Sequence, residues 1–550
     1  MSGRGIRGYI SVAILANLVA LTGVLSLASC TVEAAPDDYE WVRQFGSTRT
    51  DAAWGVAVDG SGTYVVGDTY GTITNQVSMG ARDAFISKYD PSGNELWTRQ
   101  FGTDLDDYAH GVAAYDSGVY AVGITGGIFP AQARAGGDDA YIRRYTSDGS
   151  EVWTRQFGSA AMDAASAVTV DASGVYVAGD TEGALPGQTQ IGLRDDFVRK
   201  YDFDGNELWT HQFGSTAKDL TMGIGVDDSG VYVAGYTEGT FPDQTSSGYA
   251  DCFIRKYDSN GNEMWTRQFG TASYDYALAI AVHSSSAYVA GMTSGTFPGQ
   301  PQTPPGSAFV RKYDSSGIEL WTRQFTSSSG ARADGVAADD SGVYATGYTW
   351  GAFPGYANTG ELDGYVRKYD PNGEQMWTRQ FGTVYEDHAE GIAVGPSGVY
   401  VAGYTEGTFP TQSNTGPYDA FVMKMGLDKA PGPLKAVLTG HSAWAAHNHF
   451  VMSKHGPDQT LFAKMANIGP GPVTAKVVFT ISDSPGNFVA EVHSDVARIP
   501  AGEKTTVQGT WSVQPGSYDV TAQCWFDSDD DGSFDGRDPD MKAFSFDVVP

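Results

Sequence analysis

The sequence predicts an all-β protein whose main body is a seven-bladed β-propeller, closed by its own N-terminal strand and followed by a smaller β domain. Three observations lead there. Trp41, Trp97, Trp153, Trp209, Trp265, Trp321 and Trp377 stand fifty-six residues apart, and each opens a near-copy of W-T-R-Q-F-G. An unbroken period of that length marks stacked copies of one supersecondary unit. The chain also holds 70 Gly and frequent aromatics, without runs at helical spacing, which suits many short strands joined by tight turns. Finally, seven sets of three further strands occur, the last ending at Phe421-Val422-Met423-Lys424, and no Trp strand follows it. The strand Trp41 to Gly46 precedes the first set, so it completes the seventh blade as its outermost strand and leaves no open edge.

Within one copy the strands follow in order. Gly223-Ile224-Gly225-Val226 is a short apolar run, with Asp227-Asp228-Ser229-Gly230 after it as turn chemistry. Val231 to Gly235 is rich in β-formers, and a variable loop from Thr237 to Ala250 carries Gly239, Pro242 and Gly248. Phe253 to Asp258 alternates as a third strand, and Glu263 to Phe269 is the fourth. Four antiparallel strands per copy describe a propeller blade. Blade 5 departs most, with His283-Ser284-Ser285-Ser286 at the turn and Ser307 for the usual Asp.

The pattern D-x-A-x-G-I-A-V-D-x-S-G-V-Y-V-A-G-Y-T-x-G-x-F-P, then D-A-F-V-R-K-Y-D-x-x-G-x-E-x-W, resembles the seven-bladed beta-propeller repeat (SBBP) family over residues 41–425, and its first half is similar to NHL-type repeats. That resemblance implies a secreted or surface protein, mostly of a kind without assigned activity.

Arg4 and Arg7, an apolar run from Tyr9 to Leu27 and then Leu27-Ala28-Ser29-Cys30 read as a secretory signal over residues 1–29. The four residues ending at Cys30 resemble a bacterial lipobox, which implies lipid attachment to Cys30 and a tether over residues 30–40. Cleavage after Ala35, or an uncleaved anchor, are the alternatives. Membrane contact is expected through this anchor alone, because no second apolar segment is long enough to span a bilayer. The formal charge is −30. Loss of residues 1–29 removes two Arg and no acid, so the mature chain is still more acidic. Such a surface repels nucleic acid and anionic headgroups. Of the remaining cysteines, Cys252 fills a slot held by Ala84, Ala140, Ala308 and Ala420, and reads as a small buried filler; Cys524 lies in the other domain.

Residues 426–440, with Pro431 and Pro433, read as a linker. Beyond them, strands are expected over 460–466, 475–481, 505–511, 518–526 and 544–549. Asn467-Ile468-Gly469, Pro500-Ala501-Gly502-Glu503 and Pro515-Gly516-Ser517-Tyr518 resemble the adhesion-like CARDB type of immunoglobulin-like β-sandwich over residues 441–550, which that resemblance implies as the fold. Within it, Asp527-Ser528-Asp529-Asp530-Asp531-Gly532-Ser533 opens an EF-hand-type loop. Asp527, Asp529, Asp531, Ser533, Asp535 and Asp538 are its calcium ligands, because a hard cation needs several oxygens at flexible distances. A solvated acidic hairpin tip is the alternative. His441, His447, His449 and His455 crowd the start of this domain without fixed ligand spacing.

Whatever recurs in every copy builds the blade, so a single site must come from positions where the copies differ. Asp51, Asp107, Asp163, Asp219, Asp275 and Asp387 recur just before each inner strand and read as turn caps. Trp54, His110, Ser166, Met222, Leu278, Asp334 and Glu390 share one repeat position; Ala52, Tyr108, Ala164, Leu220, Tyr276, Arg332 and His388 share another. Blades 6 and 7 are therefore expected to bring Arg332, Asp334, His388 and Glu390 together at the channel mouth. An acid/base set of a hydrolase or lyase and a solvated rim of drifting residues are the two readings. Trp54, His110, Tyr236, Tyr348, Trp350 and Tyr404 form the expected ligand-binding surface. The function expected is a non-enzymatic, surface-anchored scaffold that binds a protein or glycan through one propeller face.

Overall fold

The computed structural model describes residues 39–303 and 306–427, and beyond them the backbone of strands only. Residues Glu33–Leu434 form one compact unit, and Lys435–Pro550 falls in another. Among the described residues of the first unit all regular structure is strand, arranged as a seven-bladed β-propeller of four-stranded antiparallel sheets. Blade 1 comprises Asp51–Asp59, Gly62–Thr69, Asp83–Tyr89 and Glu95–Phe101 from inside out, and blades 2 to 6 repeat it. Blade 7 takes its inner three strands from Asp387–Gly395, Gly398–Thr405 and Asp419–Met425. Its outer strand is Trp41–Phe45, paired antiparallel from Trp41 opposite Lys424 to Phe45 opposite Ala420. The ring is closed as expected.

Each inner strand is longer than the apolar run suggests, beginning at the Asp itself in six blades, as in Asp219–Asp227, and at Ala331 in blade 6. The Asp still caps the entering turn: Asp51 Oδ2 accepts the Ser47 backbone N–H at 2.7 Å and the Ser47 hydroxyl at 3.1 Å. The extra length is made possible by a register shift in every inner strand, for instance between Ala53 and Gly55 and between Ala389 and Gly391. Trp54 and Glu390 are the residues left over. Such a bulge turns its side chain out of the sheet's alternation.

Apolar packing lies between blades. One core joins Tyr64, Val66, Ala84 and Ile86 of blade 1 to Ala109, Val119, Ala121 and Tyr141 of blade 2. Cys252 is fully buried in the corresponding slot of the seam between blades 4 and 5. The tryptophan ladder binds the outer rim in the same way. Trp97 Nε1 donates to Ser147 O at 3.1 Å, and Arg99 Nε donates to Gly149 O at 3.0 Å, both in the next blade. Gly149 has φ +81°, and a Cβ there would lie 2.7 Å from the Trp97 ring, so the turn glycine and the tryptophan require each other. Blade 5 shows how its altered turn is accommodated, since Ser284 and Ser285 adopt positive φ and Ser285 N–H reaches Asp227 of blade 4 at 3.0 Å.

Beyond residue 435 the five expected strands coincide with Asp458–Ala466, Val473–Asp483, Lys504–Ser512, Gly516–Asp527 and Lys542–Val548. Gly516–Asp527 pairs with both Val473–Asp483 and Lys542–Val548, whereas Asp458–Ala466 pairs with Lys504–Ser512 in a separate sheet. The signal segment, Cys30, the tether, the linker, the histidine group and the side chains of the calcium-type loop Asp527 to Asp538 lie outside the described residues.

Candidate functional site

The seven bulge residues ring one end of the central channel. Inner strands meet closely there: a Cβ on Gly391 would stand 2.9 Å from Trp54 O, and one on Gly335 would stand 2.9 Å from Glu390 O. The ring is polarised. Ser166, Met222 and Leu278 occupy blades 3 to 5, while Asp334, Glu390, Trp54 and His110 occupy blades 6, 7, 1 and 2. The small-x-small pattern around each bulge, as in Ala333-Asp334-Gly335, is the sequence signal that marks it.

Blades 6 and 7 assemble the expected quartet. Arg332 Nε donates to Asp334 Oδ1 at 2.6 Å, with the Asp334 side chain only 4% exposed. His388 lies with Nδ1 3.8 Å from Glu390 Oε1 and Nε2 3.8 Å from Glu386 Oε2. Register explains the aromatic walls, because Tyr348 stands opposite Arg332 and Tyr404 opposite His388. His388 stacks on Tyr404 with centroids 4.4 Å apart and meets Tyr348 at 4.4 Å from the other side. Trp350 contacts Tyr348 at 5.2 Å. Trp54 contacts Tyr404 at 5.6 Å across the closing seam, and its indole N–H donates to Asp68 at 2.5 Å.

Electrostatics separate these groups. Burial lowers His388 to about 4, with Glu386 opposing and Arg332 assisting, so the imidazole is neutral at pH 7. Burial, reinforced by the Asp334 carboxylate and opposed by Arg332, pushes Glu390 up to about 8. Burial also raises Asp334, and the Arg332 guanidinium pulls it back. The two carboxyls therefore titrate as a pair that keeps one proton in neutral solution. Asp334 Oδ2 and His388 Nδ1 are buried and accept or donate no hydrogen bond. One oxygen of each turn-capping aspartate is left over in the same way, but only here, among the described residues, do two such atoms lie beside a cluster of aromatic rings at the channel mouth.

The structure enlarges one expectation and corrects another. Tyr418 joins the arc, edge-on to Tyr404 at 5.8 Å and donating to Glu386 Oε2 at 3.1 Å. Past Trp54 the arc continues through Asp68 to Arg82, at 2.6 Å, and on to the Tyr108 ring 4.2 Å from the Arg82 guanidinium. His110 sits at its far end, 6.0 Å from Tyr108, where burial lowers it to about 4. Tyr236 is not in the arc. It packs edge-on against Tyr276 at 4.8 Å in the seam between blades 4 and 5, because strand register places it opposite Leu220 in blade 4. Asp68, Arg82, Glu386 and Tyr418 gave no signal in the sequence, since each gains its place through a contact from a loop or a neighbouring blade. Among the described residues no group of three or more His, Cys, Asp or Glu is placed to hold a metal ion.

Fold and rim together define the class: a seven-bladed β-propeller whose channel mouth concentrates charged and aromatic side chains in one arc of blades 6, 7, 1 and 2. No protein-family model matches the chain. Over 374 residues it is 24% identical to the Regulatory protein FlaEY of Caulobacter vibrioides, an alignment covering 58% of this chain and 37% of that protein. Over 170 residues it is 26% identical to an uncharacterized WD repeat-containing protein of Acanthamoeba polyphaga mimivirus, covering 26% of this chain and 12% of that one. The chain thus spans well under half the length of these relatives. Among solved structures, the phage phi92 endosialidase matches with 9% identity and a TM-score of 0.39, over 76% of this chain and 75% of that chain.

Proposed function

We propose that this protein is a non-enzymatic binding scaffold, held at a cell surface by lipid on Cys30, that takes a glycan at the arc of blades 6, 7 and 1. The observation that carries this reading is the pair of orphaned polar atoms, Asp334 Oδ2 and His388 Nδ1, set between Tyr348, Tyr404 and Trp54. At neutral pH Arg332 and Asp334 cancel, while Glu390 and His388 are uncharged. Within a chain of charge −30 these four groups form a patch of low net charge, with Glu386 at its edge, that offers donors, acceptors and flat apolar faces. A neutral sugar ring offers the matching hydroxyls and C–H faces. Glu390→Ala and His388→Ala are each expected to weaken glycan binding about tenfold or more, read by calorimetry on the mature chain. Because protonated Glu390 is a donor, wild-type binding weakens as pH rises past about 8, where that carboxyl ionises. Retained affinity in both variants removes the reading.

A second reading, a hydrolase or lyase at the same mouth, is favoured by one feature. Glu390 retains its proton beside an Arg-paired carboxylate, the arrangement of a general acid next to a base. Under that reading Glu390→Gln abolishes turnover and leaves the fold and ligand affinity intact.

We further propose that the propeller repeats are of the SBBP type and that residues 441–550 form a CARDB-like β-sandwich. The loop Asp527 to Asp538 is proposed to bind calcium, since carboxylates so densely placed repel one another until neutralised. Millimolar calcium is expected to raise the melting temperature of that domain, and chelator to reverse it. A melting temperature indifferent to both argues for a solvated acidic tip.

A further inference from the structure

The same rim carries a second aromatic group that the arc does not use. Four tyrosines converge on the seam between blades 4 and 5 from four separate elements. Tyr236 comes from the second strand of blade 4, Tyr249 from the loop after it, Tyr274 from the loop entering blade 5, and Tyr276 from that blade's inner strand. Tyr249 and Tyr274 stack with centroids 5.2 Å apart at 22°, and Tyr274 and Tyr276 continue the stack at 6.3 Å and 15°. Tyr236 closes it edge-on against Tyr276 at 4.8 Å. No other copy places tyrosines at these loop positions: Tyr274 stands where the others have Thr50, Asp106, Met162, Lys218, Gly330 and Glu386.

The backbone beneath the stack is the one the repeat uses in other blades. Ala250 bridges Tyr274 in parallel, Tyr249 N–H donates to Ser273 O at 3.1 Å, and Ser294 N–H donates to Tyr274 O at 2.9 Å. The two loops are therefore laced together through their backbones, and the rings meet one another above them. Yet the outer rings are left in water, Tyr249 69% and Tyr274 47% exposed. Tyrosine couples a large apolar ring to a polar tip, which is why it serves so well at recognition surfaces. Glu238 and the Arg194–Asp180 pair border Tyr236 and supply hydrogen-bonding groups along one side.

We infer that this tyrosine stack is a second subsite for the same linear glycan chain, which runs along the rim from the arc of blades 6, 7 and 1 to the seam of blades 4 and 5. The inference rests on the glycan reading of the arc. The occupant follows from the shape and placement of the stack. It lies on the loops of the same face as the arc, and it is flanked by hydrogen-bonding side chains. A small aromatic cluster with polar margins fits a chain of sugar rings better than the broad apolar centre of a protein interface. Single-stranded nucleic acid, which also stacks on aromatic rings, is opposed by the charge of −30.

The test uses the mature chain with neutral linear di- and hexasaccharides of the cello, malto and chito series, measured by calorimetry. In the wild type the hexasaccharide of the recognised series binds about tenfold more tightly than its disaccharide. Tyr249→Ala and Tyr274→Ala, both at exposed positions, bring the hexasaccharide down to the disaccharide's affinity and leave the disaccharide unchanged. Glu390→Ala weakens both lengths together. Equal affinity for both lengths in the wild type, or tyrosine variants that keep the length dependence, overturns the second subsite while leaving the arc reading in place. Failure of any disaccharide or hexasaccharide to bind overturns the arc reading, and the subsite with it. Capture of a proline-rich peptide that the tyrosine variants abolish assigns the stack to protein recognition and likewise overturns the subsite.

Discussion

Replacing Asp196 by alanine is expected to make the propeller more stable, an outcome opposite to that of most core substitutions. Asp196 occupies the fully buried small slot that holds Ala84, Ala140, Cys252, Ala308, Gly364 and Ala420 in the other blades. Neither of its carboxylate oxygens has a hydrogen-bond partner. Facing it across the seam is Thr221, where the other copies have Ala53, Ala109, Ala165, Ala277, Ala333 and Ala389, and the Thr221 hydroxyl is also buried and unpaired. Two polar groups have therefore entered a single seam, between blades 3 and 4, where the Thr221 hydroxyl lies close enough to favour the Asp196 carboxylate but forms no hydrogen bond of full geometry with it. An unsatisfied buried polar group costs about 1–3 kcal/mol, and a gain of that order is expected for Asp196→Ala.

The sign of the pH dependence follows from which state holds the proton. Burial, with Asp219 and Asp180 adding to it and Thr221 and Arg255 opposing, holds the Asp196 carboxyl well above its ordinary value in the folded protein. The folded state keeps the proton while the unfolded chain, near 3.9, releases it. The Asp196 contribution is thus most favourable below about pH 4 and is lost as pH rises toward the raised folded value. Asp51, Asp387 and the other turn-capping aspartates shift in the same direction by burial, so the informative quantity is the difference between variant and wild type. Denaturant melts at pH 4 and pH 7 should show a larger gain for Asp196→Ala at pH 7. Asp196→Asn should remove the pH-dependent part alone. Destabilisation by Asp196→Ala at both pH values would mean that the carboxyl has a partner absent from the picture above.

Removing residues through Phe45 is expected to have the largest destabilising effect of any short deletion. The strand Trp41–Phe45 supplies the outer edge of blade 7, and Val42 packs with Phe421, Met423 and Trp377. Trp41 meanwhile enters the core shared with blade 1, beside Tyr89, Tyr400 and Val422. Gln44 adds bonds to Gly407 O at 2.9 Å and Asp419 Oδ2 at 3.0 Å. Loss of one buried tryptophan costs about 3–5 kcal/mol by itself. The deletion also leaves Asp419–Met425 as an unpaired edge open to other chains. A lower, broader melt and concentration-dependent association by light scattering are the expected results. A monodisperse protein with an unchanged melt would mean that the ring holds without its clasp. Gln44→Ala should reproduce a small part of the effect with the ring still closed.

How much of this was legible in the chain differs by element. The fifty-six-residue period, the W-T-R-Q-F-G strand and the Asp-containing turns gave the blade, the blade count and the closing strand, because each depends on local propensity and on repetition. Comparison of copies also singled out Arg332, Asp334, His388 and Glu390. The triplets Ala333-Asp334-Gly335 and Ala389-Glu390-Gly391 are visible in the chain, but they become recognisable as bulges only through the pairing with the second strand. Nor did the repeat pattern alone show that Tyr236 belongs with Tyr276 rather than with Tyr404, a matter of which seam each faces.

A closed ring of seven blades with tryptophan along its outer rim, and the polar residues of one arc, can be read from the chain alone, because periodicity, turn chemistry and differences between copies survive in the linear text. That this arc is desolvated and incompletely hydrogen-bonded emerges only once the blades are packed. Burial, pKa and pairing arise from groups brought together across blade seams, between residues as distant along the chain as Trp54 and Tyr404.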